Sequence, residues 1–551
     1  MTRTFIRGLF AALASLLIAL PALAGSLVDG AWLRERLAAG DVLVLDAQPR
    51  PMYAKGHIPG AVPVDVFAIA SFGVRDVSLA EMERAYQALG VDPAKTIVIY
   101  DQGGTWFATR MFFQLQYHGF PTERLAILDG GMTKWRADGL PVTADATAAP
   151  KAGSFRITRV DEQQRTRMPE LLAAAGDRKS HVLLDALGPE YHYGAAAFFN
   201  KPGHIPNAVL MPAEDFYNAD KTFKAPGEIR RMLAVNGIRA DQEIHSHCGG
   251  GGAASVPYFA IRHLAGHSKV KLSVESQMGW LQDERDLPFW TYGTPAMMRD
   301  TEWLQSWGGR MMRMYGVARV SVVDVRAPAA YAQGHVPFAV NVTGEAFRGH
   351  AKDPRKLAEV LGASGVDAAH EAVVVSGGGI TRDAALAYVV LEKLGQKKVS
   401  IFMDSLESPD SLDKMARGNF AVTKEPTIVG KPAKPTDMAV PPATYVPAVK
   451  EGTMLTDPKG GSGPYPKVFV ASGAAVPARA MDGKVVHVPY TELLKPDGTP
   501  KAAKDIWAAL AKAGVPRYAE IVTFSDDPGE AAVNYYLLKL MGYPDVKALV
   551  S

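Results

Sequence analysis

Short apolar runs rich in β-branched residues recur along the chain and alternate with longer stretches in which apolar residues are spaced three or four positions apart. The runs at 97–100 and 372–375 have the length of buried strands, and the stretches at 82–89 and 384–394 have helical periodicity. Strands that alternate with helices in this way predict an α/β fold in which each unit is a parallel sheet flanked by helices.

The same series of strands and turns occurs four times along the chain. Each of the first three copies has an apolar strand ending in aspartate, then a Gly-His turn, then a second apolar strand; the fourth copy, around His487, lacks the Gly-His turn. We expect the turn histidines to fix the turn by hydrogen bonding rather than to act in catalysis. The histidines of the first three turns are His57, His204 and His335.

The position directly after the second strand can be compared across the copies. It follows the histidine by 44, 44, 41 and 38 residues, which supports true equivalence. The four residues at this position are Asp101, Cys248, Ser376 and Ser525.

The gaps between copies predict the domain boundaries. A proline- and glycine-rich stretch is expected to be an extended linker, partly ordered by packing. The predicted divisions are 1–24 (signal peptide), 26–150, 160–292, 300–420, 421–465 (linker) and 466–551.

The N-terminus has the pattern of an export signal. Arg3 and Arg7 precede an apolar stretch at 9–20, and Ala22-Leu23-Ala24 supplies small residues for cleavage. The apolar stretch is shorter than the roughly 20 residues of a membrane span, although an uncleaved anchor is the alternative. We therefore expect a periplasmic protein without stable membrane insertion. The net charge of +3 includes no basic run, so nucleic acid is not expected as a partner.

Cys248 is the chain's only cysteine, so it has no partner for an internal disulfide. An unpaired cysteine in an exported chain is a reactive thiol, a partner in an intermolecular disulfide or a small buried hydrophobic residue. The residues that follow it favour the first reading. They are Gly249, Gly250, Gly251, Gly252 and Ala253, in a strand-to-helix turn.

A glycine-rich turn at the start of a helix can direct several N–H groups at an anion. Such a field would lower the pKa of a thiol from its ordinary value of about 8.5. The turn alone is also compatible with phosphate binding or with a simple tight turn. A phosphatase loop would be longer and would end in arginine, whereas here Ala253 and Ala254 precede Ser255.

Two motifs of the first copy carry a family resemblance. Gly-His-Ile-Pro-Gly-Ala at 56–61 and Leu-Asp-Gly-Gly-Met at 128–132, with Trp135, resemble the rhodanese family of sulfurtransferases. The resemblance implies tandem rhodanese-like α/β domains in which the residue after the central strand is the catalytic cysteine. It therefore implies that Cys248 is catalytic and that the copies with Asp101, Ser376 and Ser525 are inactive.

The donor-binding charges of the family are missing from the active loop. Lys201, in an insertion of the second copy, is the local candidate for an anion contact. His245 and His247 share one face of the preceding strand and are expected to tune the pKa or to contact substrate. Together with Cys248 they offer three candidate metal ligands, but we assign no metal and no cofactor. Arg110 and Arg382, early in two helices, are expected to be surface or interdomain ion-pair residues.

The function that the resemblance implies is transfer of a sulfane sulfur through a Cys248 persulfide. The donor would be a small molecule such as thiosulfate or mercaptopyruvate, and the acceptor cyanide, a thiol or a sulfur-accepting protein. The alternative is a carrier of sulfur or metal, or a scaffold, that serves a partner protein without turnover.

Overall fold

The computed structural model describes residues 26–73, 76–308, 320–336, 338–406, 427–428, 431–432, 440–459 and 463–550. The predicted signal peptide and part of the predicted linker lie outside these residues. The described chain divides into two compact units, the first containing residues 26–69, 78–160 and 220–222, and the second containing the rest.

The first unit is built on one five-stranded parallel sheet. Its strands are Leu27–Val28, Val42–Asp46, Val62–Pro63, Thr96–Tyr100 and Leu125–Leu128. The order across the sheet is first, fifth, fourth, second, third. The helices of this unit are Gly30–Ala39, Arg50–Lys55, Val66–Ile69, Leu79–Ala88, Phe107–Tyr117 and Gly131–Ala137.

The second unit contains three more parallel sheets with the same strand order. The second sheet has strands Arg165–Thr166, His181–Asp185, Val209–Leu210, Glu243–His247 and Val270–Ser273. The third has Met298–Arg299, Val320–Asp324, Ala339–Asn341, Glu371–Val375 and Lys398–Phe402. The fourth has Met454–Leu455, Lys467–Ala471, Lys484–His487, Glu520–Phe524 and Val546–Leu549.

Helices connect the strands of these sheets, as parallel pairing requires. Around the second sheet they are Met168–Gly176, Pro189–His192, Pro226–Val235, Ser255–Phe259 and Ser276–Leu281. Around the third they are Thr301–Gly308, Pro328–Gln333, Gly344–Gly349, Leu357–Ala363 and Arg382–Lys393. Around the fourth they are Ala503–Ala513 and Pro528–Leu540. The predicted α/β fold of parallel sheets flanked by helices is confirmed.

The long helices Arg382–Lys393 and Pro528–Leu540 pack together and give the third and fourth sheets a continuous apolar core. Arg382 pairs with Asp527 at 2.8 Å, as the interdomain role predicted for this arginine requires. Arg110 differs, because it is fully buried and donates to Gln114 rather than lying at the surface.

The described part of the predicted linker packs against the third sheet's helices. The Ala443 N–H donates to the Gly362 carbonyl, and the Ala448 N–H donates to the Leu394 carbonyl. Short antiparallel strands form at Thr427–Ile428 and Lys431–Pro432. The strand Met454–Leu455, also within the predicted linker, pairs with Val546–Leu549 at the edge of the fourth sheet.

Candidate active site

Cys248 directly follows Glu243–His247, the fourth strand of the second sheet. The loop runs through Gly249–Ala254, and the helix begins at Ser255. This helix has a single α-helical turn and continues as the π-helical segment Ala260–Leu264. The carboxyl ends of parallel strands meet at one edge of a sheet, which is where α/β folds place their ligands.

The thiol of Cys248 points into its own loop. The Gly251 N–H donates to the Sγ atom at 3.2 Å. Burial is the largest influence on the thiol and raises its pKa, while the N–H groups of Ala254, Gly250 and Gly251 oppose the rise by stabilising the thiolate. The net shift is upward, so the lowered pKa expected from the sequence is wrong for the resting protein. The loop does supply donors, but the thiol is only 3% exposed and desolvation outweighs them.

Two of the loop glycines lie where a β-carbon would come too close to a neighbour. Gly251 has φ +87°, in the left-handed region, and a β-carbon there would lie 2.7 Å from the Val274 carbonyl oxygen. A β-carbon on Gly249 would overlap the ring of Phe198. Gly250 is different, because a β-carbon there would make only ordinary contacts, the nearest being Met278 at 3.7 Å.

Ser276 holds the backbone of Cys248 in place. Its Oγ accepts the Cys248 N–H at 3.1 Å and donates to the Ser273 carbonyl at 2.6 Å. Ser276 has φ +50°, a conformation that is costly for any residue other than glycine. The first copy has Gly131 at the matching position, with φ +54°. In the second copy, serine at this position has a strained backbone that glycine would not have, but its hydroxyl accepts a hydrogen bond from the Cys248 N–H.

Side chains and backbone from elsewhere in the second unit cover the loop. Phe198, from the insertion between Asp185 and His204, lies over Gly249 and contacts the ring of Tyr191 edge-on. The Gly73 N–H donates to the carbonyls of Gly250 and Val274, at 3.2 and 3.1 Å. A donor molecule therefore reaches the thiol only if part of this cover moves.

The matching loops of the other copies satisfy themselves with their own side chains. Asp101 accepts the N–H groups of Gly103 and Ala108, at 2.7 and 3.0 Å. In the third copy Ser376 donates to the Gly379 carbonyl at 3.0 Å. In the fourth copy the Ser525 hydroxyl donates to the Glu530 carboxylate at 2.6 Å. The first loop therefore shows that N–H groups of this turn can bind an anion.

The turn histidines have the structural role that the sequence predicts. The Nδ1 atoms of His57 and His335 lie 3.1 and 2.9 Å from the carbonyls of Tyr53 and Tyr331, and each imidazole stacks on that tyrosine ring. In the second copy His192 replaces the tyrosine.

The second copy's turn is joined to a buried carboxyl group. His204 stacks on His192 with ring centroids 3.6 Å apart, and His192 Nδ1 lies 2.9 Å from Asp185. Burial raises the pKa of Asp185 and lowers the pKa of His192, and it lowers the pKa of His204 to about 3. Both imidazoles are therefore neutral at pH 7, and the stack is rigid support beside the loop.

The two strand histidines have separate surroundings. His245 Nδ1 lies 2.8 Å from Thr166 Oγ1, and its Nε2 lies 2.9 Å from His181 Nδ1. His247 is fully buried; burial lowers its pKa, and the nearby Asp185 opposes this. The structure therefore does not gather Cys248, His245 and His247 into one set of metal ligands.

Lys201 is about half exposed and forms an ion pair with Asp286 at 2.5 Å. Within the described residues no hydrogen bond or ion pair joins it to the Cys248 loop. Its role as an anion contact stays a prediction.

Sequence reasoning missed two residues of this site. Ser276 could have been found as the departure from glycine in the Leu-Asp-Gly-Gly-Met motif of the first copy. Phe198 gives no such signal, because it lies in an insertion without a counterpart in the other copies.

Comparisons with known proteins find similarity to one family. Residues 29–138 and 309–408 match the family model of the rhodanese-like domain. A Mycobacterium bovis protein provisionally named thiosulfate sulfurtransferase 1 is 29% identical over 256 residues, covering 44% of this chain and 90% of that protein. The sulfur carrier protein TtuD of Thermus thermophilus is 29% identical over 258 residues, with the same coverage.

The crystal structure of SseA from Escherichia coli, a 3-mercaptopyruvate sulfotransferase, is 23% identical and covers 46% of this chain and 98% of that one, with a TM-score of 0.42. In the described residues, every helix is too short or too polar to cross a membrane.

The two family matches fall on the first and third sheets, whose strand order the second and fourth sheets repeat. Residues 29–138 and 309–408 are thus each similar to the rhodanese-like domain.

Proposed function

We propose that the protein is a sulfurtransferase that moves a sulfane sulfur from a small donor to a thiophilic acceptor through a persulfide on Cys248. One observation carries this proposal. In the first copy the N–H groups of the loop hold the carboxylate of Asp101, whereas in the second copy the same loop offers its N–H groups to a thiol. We infer that the anion stabilised by the loop of the second copy is a sulfur anion.

The chemistry takes two balanced steps. The Cys248 thiolate attacks the outer sulfur of thiosulfate, the sulfur–sulfur bond of the donor breaks, and sulfite leaves with the bonding electron pair. The persulfide anion then occupies the loop, where the N–H groups of Gly250, Gly251 and Ala254 stabilise it. Cyanide or a thiolate attacks the outer sulfur and releases the Cys248 thiolate.

The other three copies would not perform this chemistry. Asp101 has no nucleophilic sulfur, and the hydroxyls of Ser376 and Ser525 cannot form a persulfide. Both hydroxyls also donate hydrogen bonds, Ser376 to a carbonyl of its loop and Ser525 to Glu530 in the helix that follows. We infer that these copies are structural.

A sulfur carrier that loads once and unloads to a partner protein is the second candidate. It is favoured by the burial of the thiol, which slows turnover with free small molecules, and by the similarity to a protein named as a sulfur carrier. Cargo other than sulfur, or a pure scaffold role, would leave the thiol without a use.

A turnover assay distinguishes these candidates. Purified protein is supplied with thiosulfate or 3-mercaptopyruvate and with cyanide, and thiocyanate is measured over time beside Cys248→Ser. An enzyme forms many thiocyanate molecules per chain, and the variant forms none. A carrier forms at most one per chain. Equal activity of both proteins would overturn the sulfurtransferase proposal.

We further propose that the protein acts in the periplasm after removal of residues 1–24. The support is the leader pattern of the sequence, with Arg3 and Arg7 before an apolar stretch. Cell fractionation and N-terminal sequencing of the mature protein test this, and an intact N-terminus in the cytoplasmic fraction would contradict it.

A further inference from the structure

A cluster of three potential metal ligands lies at the opposite end of the strand that leads to Cys248. His181 begins the second strand of the second sheet, and Glu243 and His245 lie on the fourth. His181 pairs with Glu243 in the sheet register, and residues two apart on one strand face the same side. The three side chains therefore converge over one face at the amino ends of these strands.

The ligand atoms have separations that suit a metal ion. His181 Nδ1 lies 2.9 Å from His245 Nε2, and Glu243 Oε1 lies 3.3 Å from His245 Nε2 and 3.9 Å from His181 Nδ1. Ligands placed about 2.0–2.1 Å from a tetrahedral zinc ion lie about 3.3–3.5 Å apart. One of the three distances is shorter than that range, one lies at its lower end and one is longer, so small side-chain rotations suffice to accept an ion.

The central ligand is oriented by a second contact. The far nitrogen of His245, Nδ1, is hydrogen-bonded to the Thr166 hydroxyl at 2.8 Å. A metal-binding histidine almost always has such an outer partner, which fixes its ring and the nitrogen it offers. His245 is buried, whereas the side chains of His181 and Glu243 are 30% and 28% exposed. An ion can thus enter from solvent, and water can complete its coordination.

Lys271 is the competing cation. Its Nζ lies 3.2 Å from Glu243 Oε1 and 2.9 Å from Glu170 Oε1. Glu170 keeps the ammonium group paired if Glu243 turns to an ion. The charged groups beside the two imidazoles are then two carboxylates and one ammonium group. Their net charge is negative, which favours a divalent cation.

We propose that His181, Glu243 and His245 form a binding site for a divalent transition metal of the zinc class, with Thr166 positioning His245 and one coordination position open. Two imidazoles and one carboxylate are a ligand set that zinc accepts. In the described residues this is the one group of three such side chains whose ligand atoms converge. The site is separate from Cys248, which lies three residues further along the chain, about 10 Å at the rise of a strand.

A histidine pair that merely shares a proton is the competing interpretation of the 2.9 Å contact. It requires no ion, and it predicts that substitutions here alter stability without altering any metal content. Metal binding by the full chain therefore separates the two.

The test measures Zn²⁺ binding by competition with a chromophoric chelator, in a Cys248→Ala background so that the thiol contributes nothing. We expect one Zn²⁺ per chain. His181→Ala and Glu243→Gln, at partly exposed positions that tolerate change, should each weaken binding by more than the 10- to 100-fold expected for Thr166→Val, which removes only an outer partner. His247→Ala, on the same strand and face, is the matched control and should retain the affinity.

Lys271→Met adds an independent readout, because removal of the competing cation should tighten Zn²⁺ binding. Co²⁺ added in place of zinc should give visible absorption bands that His181→Ala abolishes. Absence of stoichiometric Zn²⁺ binding by the parent would overturn the proposal. So would an equal loss of affinity in His247→Ala and His181→Ala.

Discussion

At the scale of single residues, the central feature is a thiol whose burial and loop contacts oppose each other. Desolvation favours the neutral thiol of Cys248, and three backbone N–H groups favour the thiolate. Because burial is the larger influence, the resting protein carries a protonated thiol at neutral pH. Entry of an anionic donor would occur only with opening of the cover, which also admits water and restores the solvation that the thiolate lacks.

The raised pKa of Cys248 predicts the pH dependence of its reactivity. Below the pKa the thiolate fraction grows about tenfold with each pH unit, so the rate of alkylation by iodoacetamide should rise through pH 7–9 without levelling off below the ordinary thiol value of about 8.5. Alkylation is followed by mass spectrometry, and the single cysteine makes the site unambiguous. A rate that levels off near pH 7 would contradict the assigned direction.

Ser276 provides a second prediction at this scale. Ser276→Ala leaves the buried N–H of Cys248 without an acceptor and keeps the strained φ, so we expect a loss of about 1–3 kcal/mol in unfolding free energy. Ser276→Gly loses the same hydrogen bond but relieves the strain, so its loss should be smaller.

The measurement is urea unfolding, with the exposed Ser268→Ala as a control that should stay within about 0.5 kcal/mol of the parent. The rate of sulfur loading on Cys248 should decline in the same order. A larger loss for the glycine variant than for the alanine variant would refute the strain argument.

At the scale of elements, one strand–loop–helix unit is built four times and used differently each time. The first loop is filled by Asp101, the fourth by Ser525 with Glu530, and the second is left for the thiol. The second copy also differs in its strand, where buried His245, Ser246 and His247 stand in place of the apolar residues of the first copy. Buried polar groups cost stability unless they are paired, and here His245 is paired with Thr166 and His181, and Ser246 donates to the Ala254 carbonyl.

We expect the insertion that carries Phe198 to limit access to the thiol. Phe198→Ala removes the ring from Gly249, so we expect alkylation of Cys248 to accelerate at least about fivefold, corresponding to about 1 kcal/mol less opening free energy. Phe199→Ala changes the neighbouring ring, which is similarly exposed, and should leave the rate unchanged. Equal rates in both variants would show that this ring does not limit access.

The elements of the fold could be predicted from the sequence because strands and helices depend on local periodicity. The runs at 97–100 and 372–375 and the helical stretches at 82–89 and 384–394 all form as predicted, with ends shifted by a few residues. Cys248 itself was found from its position in the repeat. What escaped prediction depends on contacts between distant segments. The ring of Phe198 over Gly249 is one such contact, and the meeting of His181 with His245 is another.

The same reason explains the expectations that were wrong. The loop's N–H groups are visible in the sequence, but the burial that raises the thiol pKa comes from residues far along the chain. Arg110 lies early in a helix that the sequence could not show to be buried on all sides. Its guanidinium is accommodated by Gln114 and by the face of Phe113.

At the scale of the whole molecule, the second unit joins the sheet that carries the thiol to two further sheets. The third and fourth sheets share one apolar core and an ion-pair group centred on Asp527. This carboxylate accepts from Arg348 at 2.5 Å and from Arg382 at 2.8 Å, and it caps the following helix through the Gly529 N–H. We infer that these two sheets act as one structural block.

Asp527→Asn tests the strength of that block. We expect a loss of about 1 kcal/mol from the ion pairs alone, because asparagine keeps the helix cap, with the half-exposed Arg382 contributing least because solvent screens it. Burial is the largest single influence and raises the Asp527 pKa, but the contacts with Arg348, the Gly529 N–H and Arg382 together outweigh it and hold the pKa below its ordinary value. The stabilisation is therefore complete above the ordinary aspartate pKa of about 3.9 and disappears as pH falls through the lowered value.

Urea unfolding at pH 7 and pH 3, with Asp526→Asn as the exposed neighbour control, measures this difference. A deficit in Asp527→Asn that is as large at pH 3 as at pH 7 would contradict the ion-pair account.

The most direct test of the central claim is intact-mass and peptide mass spectrometry after exposure to thiosulfate or 3-mercaptopyruvate. We predict that the protein gains the mass of one sulfur atom on the peptide containing Cys248, that cyanide removes it, and that Cys248→Ser gains nothing. No added sulfur with either donor, or the same addition on Cys248→Ser, would contradict the account.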